Sequence, residues 1–123
     1  SPVKRRRLAA SLAVSSLLMS CVWLPSNAQA TSALGDLSSL KAIVVDVQAI
    51  AGTGDFAKAS QRVTDFETAW DNDEPTLKPM DKHAWHHVDD AADAALKALR
   101  AKKPDGSEVT STLAALAEAI DNP

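Results

Sequence analysis

The 123 residues carry one cysteine, 24% charged and 46% hydrophobic residues, and a formal net charge of −3. That single cysteine, Cys21, lies inside an N-terminal leader-like stretch, so residues 31–123 offer no disulfide, thiolate nucleophile, cysteine-bound zinc or c-type haem attachment. Those 93 residues hold nine Lys and Arg against sixteen Asp and Glu, a balance of −7 that disfavours nucleic acid and anionic membrane as partners and permits cations or basic proteins.

The first thirty residues have the three parts of an export signal. Lys4, Arg5, Arg6 and Arg7 form a basic start, residues 8–24 an apolar run, and Ala28-Gln29-Ala30 a small-x-small cleavage pattern, which places the mature start at Thr31 in the periplasm or outside the cell. The chain opens on Ser1, which leaves room for a translation start upstream. A membrane anchor needs about 20 apolar residues; this run is shorter, rich in Ser and Ala, and closed by Pro25. Leu18-Met19-Ser20-Cys21 resembles a lipobox in which Cys21 is lipidated, the one route by which the mature form meets a membrane. Met19 fits that motif poorly and Val22, Trp23 and Leu24 stay apolar beyond it, so soluble export is the preferred reading.

From residue 36 onward the apolar period is helical. Leu37, Leu40, Val44, Val47 and Ala51 recur at three and four residues, predicting helix one over 36–51 with Asp36 as its cap and Gly52 and Gly54 as its stop. Asp55 caps helix two, with the stripe Phe56, Ala59, Val63, Phe66 and Trp70. It is expected to fray within 71–74, because a proline disfavours helical geometry in the residue before it and Pro75 follows. Residues 75–80, with two prolines, then form the longest connection.

Helix three starts near Asp81, with Trp85, Val88, Ala92, Ala95, Leu96 and Leu99 on one face. Its basic end, from Lys97 and Arg100 to Lys102 and Lys103, suits the helix dipole. A turn at Pro104-Asp105-Gly106 and a cap at Ser107 introduce helix four, with the stripe Val109, Leu113, Leu116 and Ile120. Four amphipathic segments on mostly short links make an all-α, up-down four-helix bundle the expected fold, a single domain over 31–123.

All three histidines fall within five residues of helix three. At about 100° per residue, His83, His86, His87 and Asp90 share a stripe opposite the Trp85 face. Two imidazoles one turn apart can chelate a divalent ion, with a carboxylate as further ligand, and Zn²⁺, Cu²⁺ or Ni²⁺ suits such donors better than Ca²⁺ or Mg²⁺. The plainer reading of the same stripe is a solvated acidic helix face. Asp71-Asn72-Asp73-Glu74 lacks the glycine and distal glutamate of an EF-hand and reads as a solvated helix end. Asp89 and Asp93, one turn apart on the border of the core face, are expected to receive Arg62 from helix two and so align the two helices, whereas Asp65 and Glu67 show no partner. Trp70 and Trp85, at facing ends of consecutive helices, are expected to touch with their indole N–H groups on polar neighbours; an aromatic-lined pocket is the alternative.

The bundle architecture is similar to the b-type periplasmic cytochromes, which need a Met and a His inside the bundle. Met80 precedes helix three and the histidines face outward, so haem is not expected. The run Asp65-Phe66-Glu67-Thr68-Ala69-Trp70, followed by Trp85, Val88, Asp89, Asp93 and Leu96 at their spacings, resembles a group of short, exported, uncharacterised bacterial helical proteins. That resemblance implies an all-helical exported domain and no particular activity. No Ser or Thr stands beside the histidines in helix three, and Gly52-x-Gly54 lacks the rest of a phosphate loop, so no enzyme is expected. Two functions remain: an exported interaction or accessory module, self-associating or with a protein partner, and a divalent-metal binder using His83, His86, His87 and Asp90.

Overall fold

The computed structural model describes Ser32–Pro123; the leader and the Cys21 lipobox lie outside the described residues. Four helices make up the fold: α1 (Ser38–Gly52), α2 (Phe56–Leu77), α3 (Lys82–Leu99) and α4 (Gly106–Asp121), with no strand among the described residues. Each helix packs on two neighbours, in the cyclic order α1, α2, α3, α4 and back to α1. Cross-helix contacts fix the antiparallel sense. Arg62 of α2 reaches back to Asp46 of α1, Arg100 at the C-cap of α3 reaches back to Glu67 of α2, and Lys41 at the start of α1 meets Asp121 at the end of α4. The described residues therefore form an all-α helical bundle, and none of their four helices is long and apolar enough to cross a membrane.

The interior is the sum of the four apolar stripes. Leu40, Val44 and Val47 meet Ala59, Val63, Phe66 and Trp70, then Trp85, Val88, Ala92 and Leu96, then Val109, Leu113, Leu116 and Ile120. Leu34 adds to them from ahead of α1. No polar or charged residue is buried among those described, which follows from the high cost of desolvating an unpaired polar group in so small a core.

The helix ends differ in detail from the sequence reading. Leu37, not Asp36, is the N-cap of α1, and Asp36 sits one residue further out, accepting the Ser38 N–H at 2.9 Å. That bond holds the Asp36 carboxyl below its ordinary range. Asp55 caps α2 through the Lys58 N–H and Asp81 caps α3 through the Ala84 N–H, each at 3.0 Å, as the sequence indicated. At α4 the cap is Asp105, whose carboxylate accepts from Ser107 and Glu108, so the helix starts earlier than a Ser107 cap allows. The three-residue turn from α1 to α2 passes through Gly54 at φ 86°, a left-handed conformation that costs an L side chain strain.

The largest departure is at Pro75. Instead of fraying at 71–74, α2 continues through the proline to Leu77, and the Lys78 N–H closes the last turn on the Glu74 carbonyl at 3.0 Å. Proline supplies no N–H for the Asp71 carbonyl, but both residues are exposed, so water can satisfy that oxygen. Burial of Leu77, two turns beyond buried Trp70, offsets the loss. The link from α2 to α3 shrinks to residues 78–81, and residues 100–105 form the longest connection instead.

The seams are uneven. α1 lies closest to α2, and α3 to α4, while α2 and α3 stand further apart at the backbone. Between them stack Trp70 and Trp85, ring centroids 5.4 Å apart and 10° from parallel, with Phe66 6.1 Å beyond Trp70. Two indoles act as spacers, and polar side chains fill the margins of the seam.

Candidate functional site

The first half of α3 sets out the predicted ligands. With Asp81 fixing the helix start and Ala84, Trp85 and Val88 buried, His83, His86, His87 and Asp90 fall on the exposed side. His86 is not free of the core: its ring meets Trp85 edge-on at 5.2 Å and 81°. The side chains whose ligating atoms converge are Asp89, Asp90 and Asp93, with oxygens within 4.8 Å of one another; no histidine belongs to such a group of three among the described residues.

Those acids border the α2–α3 seam. Asp89 is half-buried and accepts the Trp70 indole N–H at 2.9 Å, across the two helices. Although Asp93 is exposed, its carboxyl is pushed above its ordinary range, first by the partial desolvation it meets beside the seam and then by the charges of Asp89, Asp90, Glu67 and Asp71. This acidic ridge is assembled from both helices. The sequence did not reveal it, although Glu67 with Asp71 and Asp89 with Asp93 are each one turn apart, which is the signal that could have found it.

Arg62 does not enter this ridge. Its guanidinium donates to Asp46 of α1 at 2.8 Å and to Asp65 of its own helix at 2.7 Å, in place of the expected pairing with Asp89 or Asp93. The reason is placement around the α2 axis: at about 100° per residue, Arg62 lies on one side of the Phe66–Trp70 line and Glu67 on the other. The side toward α3 receives Arg100, which donates to Glu67 at 2.8 Å and to Thr64 at 3.1 Å. Asp65 and Glu67 therefore both have partners, and the guanidinium that ties α2 to α3 comes from α3.

The tryptophans touch as expected, but only one indole N–H is satisfied. Trp70 donates to Asp89, whereas the Trp85 Nε1 is buried without a partner, the one such side-chain atom among the described residues. The α2–α3 turn forms an open groove of about 510 Å³ lined by Asp71, Glu74, Pro75, Lys78, Pro79 and Lys82. The Lys78 ammonium stands 4.8 Å from the Trp85 ring centre and 3.3 Å from Glu74 Oε2. Comparison of the chain with protein-family models, with curated proteins and with solved structures finds no match. The chemistry of these side chains is what the functional reading stands on.

Proposed function

We propose that the chain is an exported helical bundle that works through its surface, as a non-enzymatic interaction or accessory module in the periplasm or outside the cell. The observation that carries this reading is the division of the molecule: the core of the described residues is wholly apolar, and every described polar or charged residue lies outside it. A module of this kind presents its chemistry to a partner. Large exposed apolar residues among those described are Val45 and Met80, too little surface for a hydrophobic self-association patch. A basic protein partner fits better, with Asp71, Asp90 and Asp93 exposed along the α2–α3 seam. Export is read from residues 1–30 and tested by expressing the 123-residue chain in a Gram-negative host and sequencing the processed N-terminus. A start at Thr31 in the periplasmic fraction is expected; a product retaining residues 1–30 in the cytoplasm overturns it. For the surface role, a photo-crosslinker at position 94 should capture a partner that Asp90→Lys with Asp93→Lys abolishes, and capture indifferent to that charge reversal refutes the ridge as the contact.

A second reading is favoured by the exposure of His83, His86, His87 and Asp90 together on one half of α3: capture or transfer of Zn²⁺, Cu²⁺ or Ni²⁺ at a shallow site with open positions. Side-chain rotation is needed to bring these donors onto one ion. Calorimetric titration of the untagged chain should show micromolar or tighter binding that His83→Ala with His87→Ala removes. Retention of binding in that variant, or none in the wild type, ends this reading.

A further inference from the structure

One of the two lysines that line the groove at the α2–α3 turn, Lys78, carries its charge to the ring of Trp85 beneath it. Lys78 closes α2, and its arm folds so that the ammonium lies over the Trp85 ring and against one carboxylate, Glu74. These are the two elements that recognise an alkylammonium ion: an electron-rich ring face and a nearby anion. A second carboxylate, Asp71, lines the same groove. Trp85 is held rigidly for this task, since it stacks on Trp70, which is itself pinned by its bond to Asp89.

We propose that this groove is a binding site for a small alkylammonium solute and that Lys78 is its lid, occupying the ring face until a free cation displaces it. The site touches the histidine stripe only through His86, whose ring meets Trp85 edge-on, and does not depend on either function proposed above. Trp85 is 5% exposed, so the cation reaches it only when the Lys78 arm swings outward. The ion pair that holds the arm is solvent-screened and weak, since its side chain is 34% exposed and its partner Glu74 39% exposed. A tethered lysine competes as a ligand at an effective concentration on the order of millimolar or above, so the wild-type chain should bind a free cation weakly and a chain without the Lys78 charge more tightly. None of the six residues that line the groove is buried, so a change at Lys78, Glu74 or Asp71 leaves the core in place.

The test is a titration of the ¹⁵N-labelled 123-residue chain with tetramethylammonium chloride, read from the indole N–H cross-peaks of Trp85 and Trp70, with sodium chloride at equal ionic strength as the control. In Lys78→Met, which keeps the aliphatic arm and removes the charge, the Trp85 cross-peak should shift saturably, with a midpoint at least tenfold below that of the wild type. Glu74→Gln with Asp71→Asn, added to Lys78→Met, should raise that midpoint at least fivefold. A Lys78→Met chain with a folded, dispersed spectrum and no saturable shift overturns the site. An equal shift with sodium overturns the cation-over-ring geometry, and equal midpoints in wild type and Lys78→Met overturn the lid.

Discussion

Trp70→Phe isolates what holds the widest seam of the bundle together. The substitution keeps an aromatic ring at a position that is 2% exposed, but removes part of the surface stacked on Trp85 and the donor that reaches Asp89 at 2.9 Å. Shrinking a large buried ring with partial relaxation costs about 1–2 kcal/mol. The hydrogen bond to a carboxylate is worth about 1 kcal/mol here, below the usual value for a charged partner, because Asp89 is only half-buried and water can replace the indole. The total is about 2–3 kcal/mol, which for a domain of this size lowers Tm by roughly 10–20 °C. Urea denaturation of wild type, Trp70→Phe, Asp89→Ala and the double variant closes a cycle in which the two sites should couple by about 1 kcal/mol. A coupling under about 0.3 kcal/mol in that cycle would show that the indole–carboxylate bond does not tie α2 to α3, and the reasoning about this seam would fail.

Three more outcomes concern the acidic ridge, Asp36 ahead of α1, and Pro75 inside α2. Asp93→Asn should stabilise the fold at neutral pH, because its carboxyl is raised by partial desolvation beside the seam and by the charges of Asp89, Asp90, Glu67 and Asp71. A group with a raised folded-state pKa binds its proton more readily folded than unfolded, so wild-type Tm should climb as pH falls from 7 toward the carboxylate range. That rise should be smaller in Asp93→Asn, and an identical pH profile refutes the ridge as a source of repulsion. At still lower pH the lowered carboxyl of Asp36 works the other way, and stability is lost as it protonates. Pro75→Ala restores an N–H to the Asp71 carbonyl and should add about 1–2 kcal/mol, the helix-interior cost of proline less the entropy it removes from the unfolded chain. Destabilisation in a urea titration would mean that Pro75 shapes the groove at the α2–α3 turn more than it strains the helix.

The sequence by itself determined the four helices and their buried faces. In Leu40, Val44 and Val47, or in Val109, Leu113, Leu116 and Ile120, each residue lies about one helical turn from the next, and a period of 3.6 residues sets their common face without any knowledge of the neighbours. Asp55 and Asp81 were legible for the same reason, since a cap bonds to a backbone N–H three residues away. The passage of α2 through Pro75 was not, because local preference says stop and only the distant packing of Leu77 says continue. Nor were the partners of Arg62 and Glu67. Both residues border the same apolar stripe, and the direction in which the chain turns from α1 to α2 to α3 decides which border faces which helix. That turn put Arg62 beside Asp46, gave Glu67 to Arg100, gathered Glu67, Asp71, Asp89, Asp90 and Asp93 along one seam, and folded Lys78 over Trp85. Every one of these contacts crosses between elements, and residue order alone carries no measure of the space between helices.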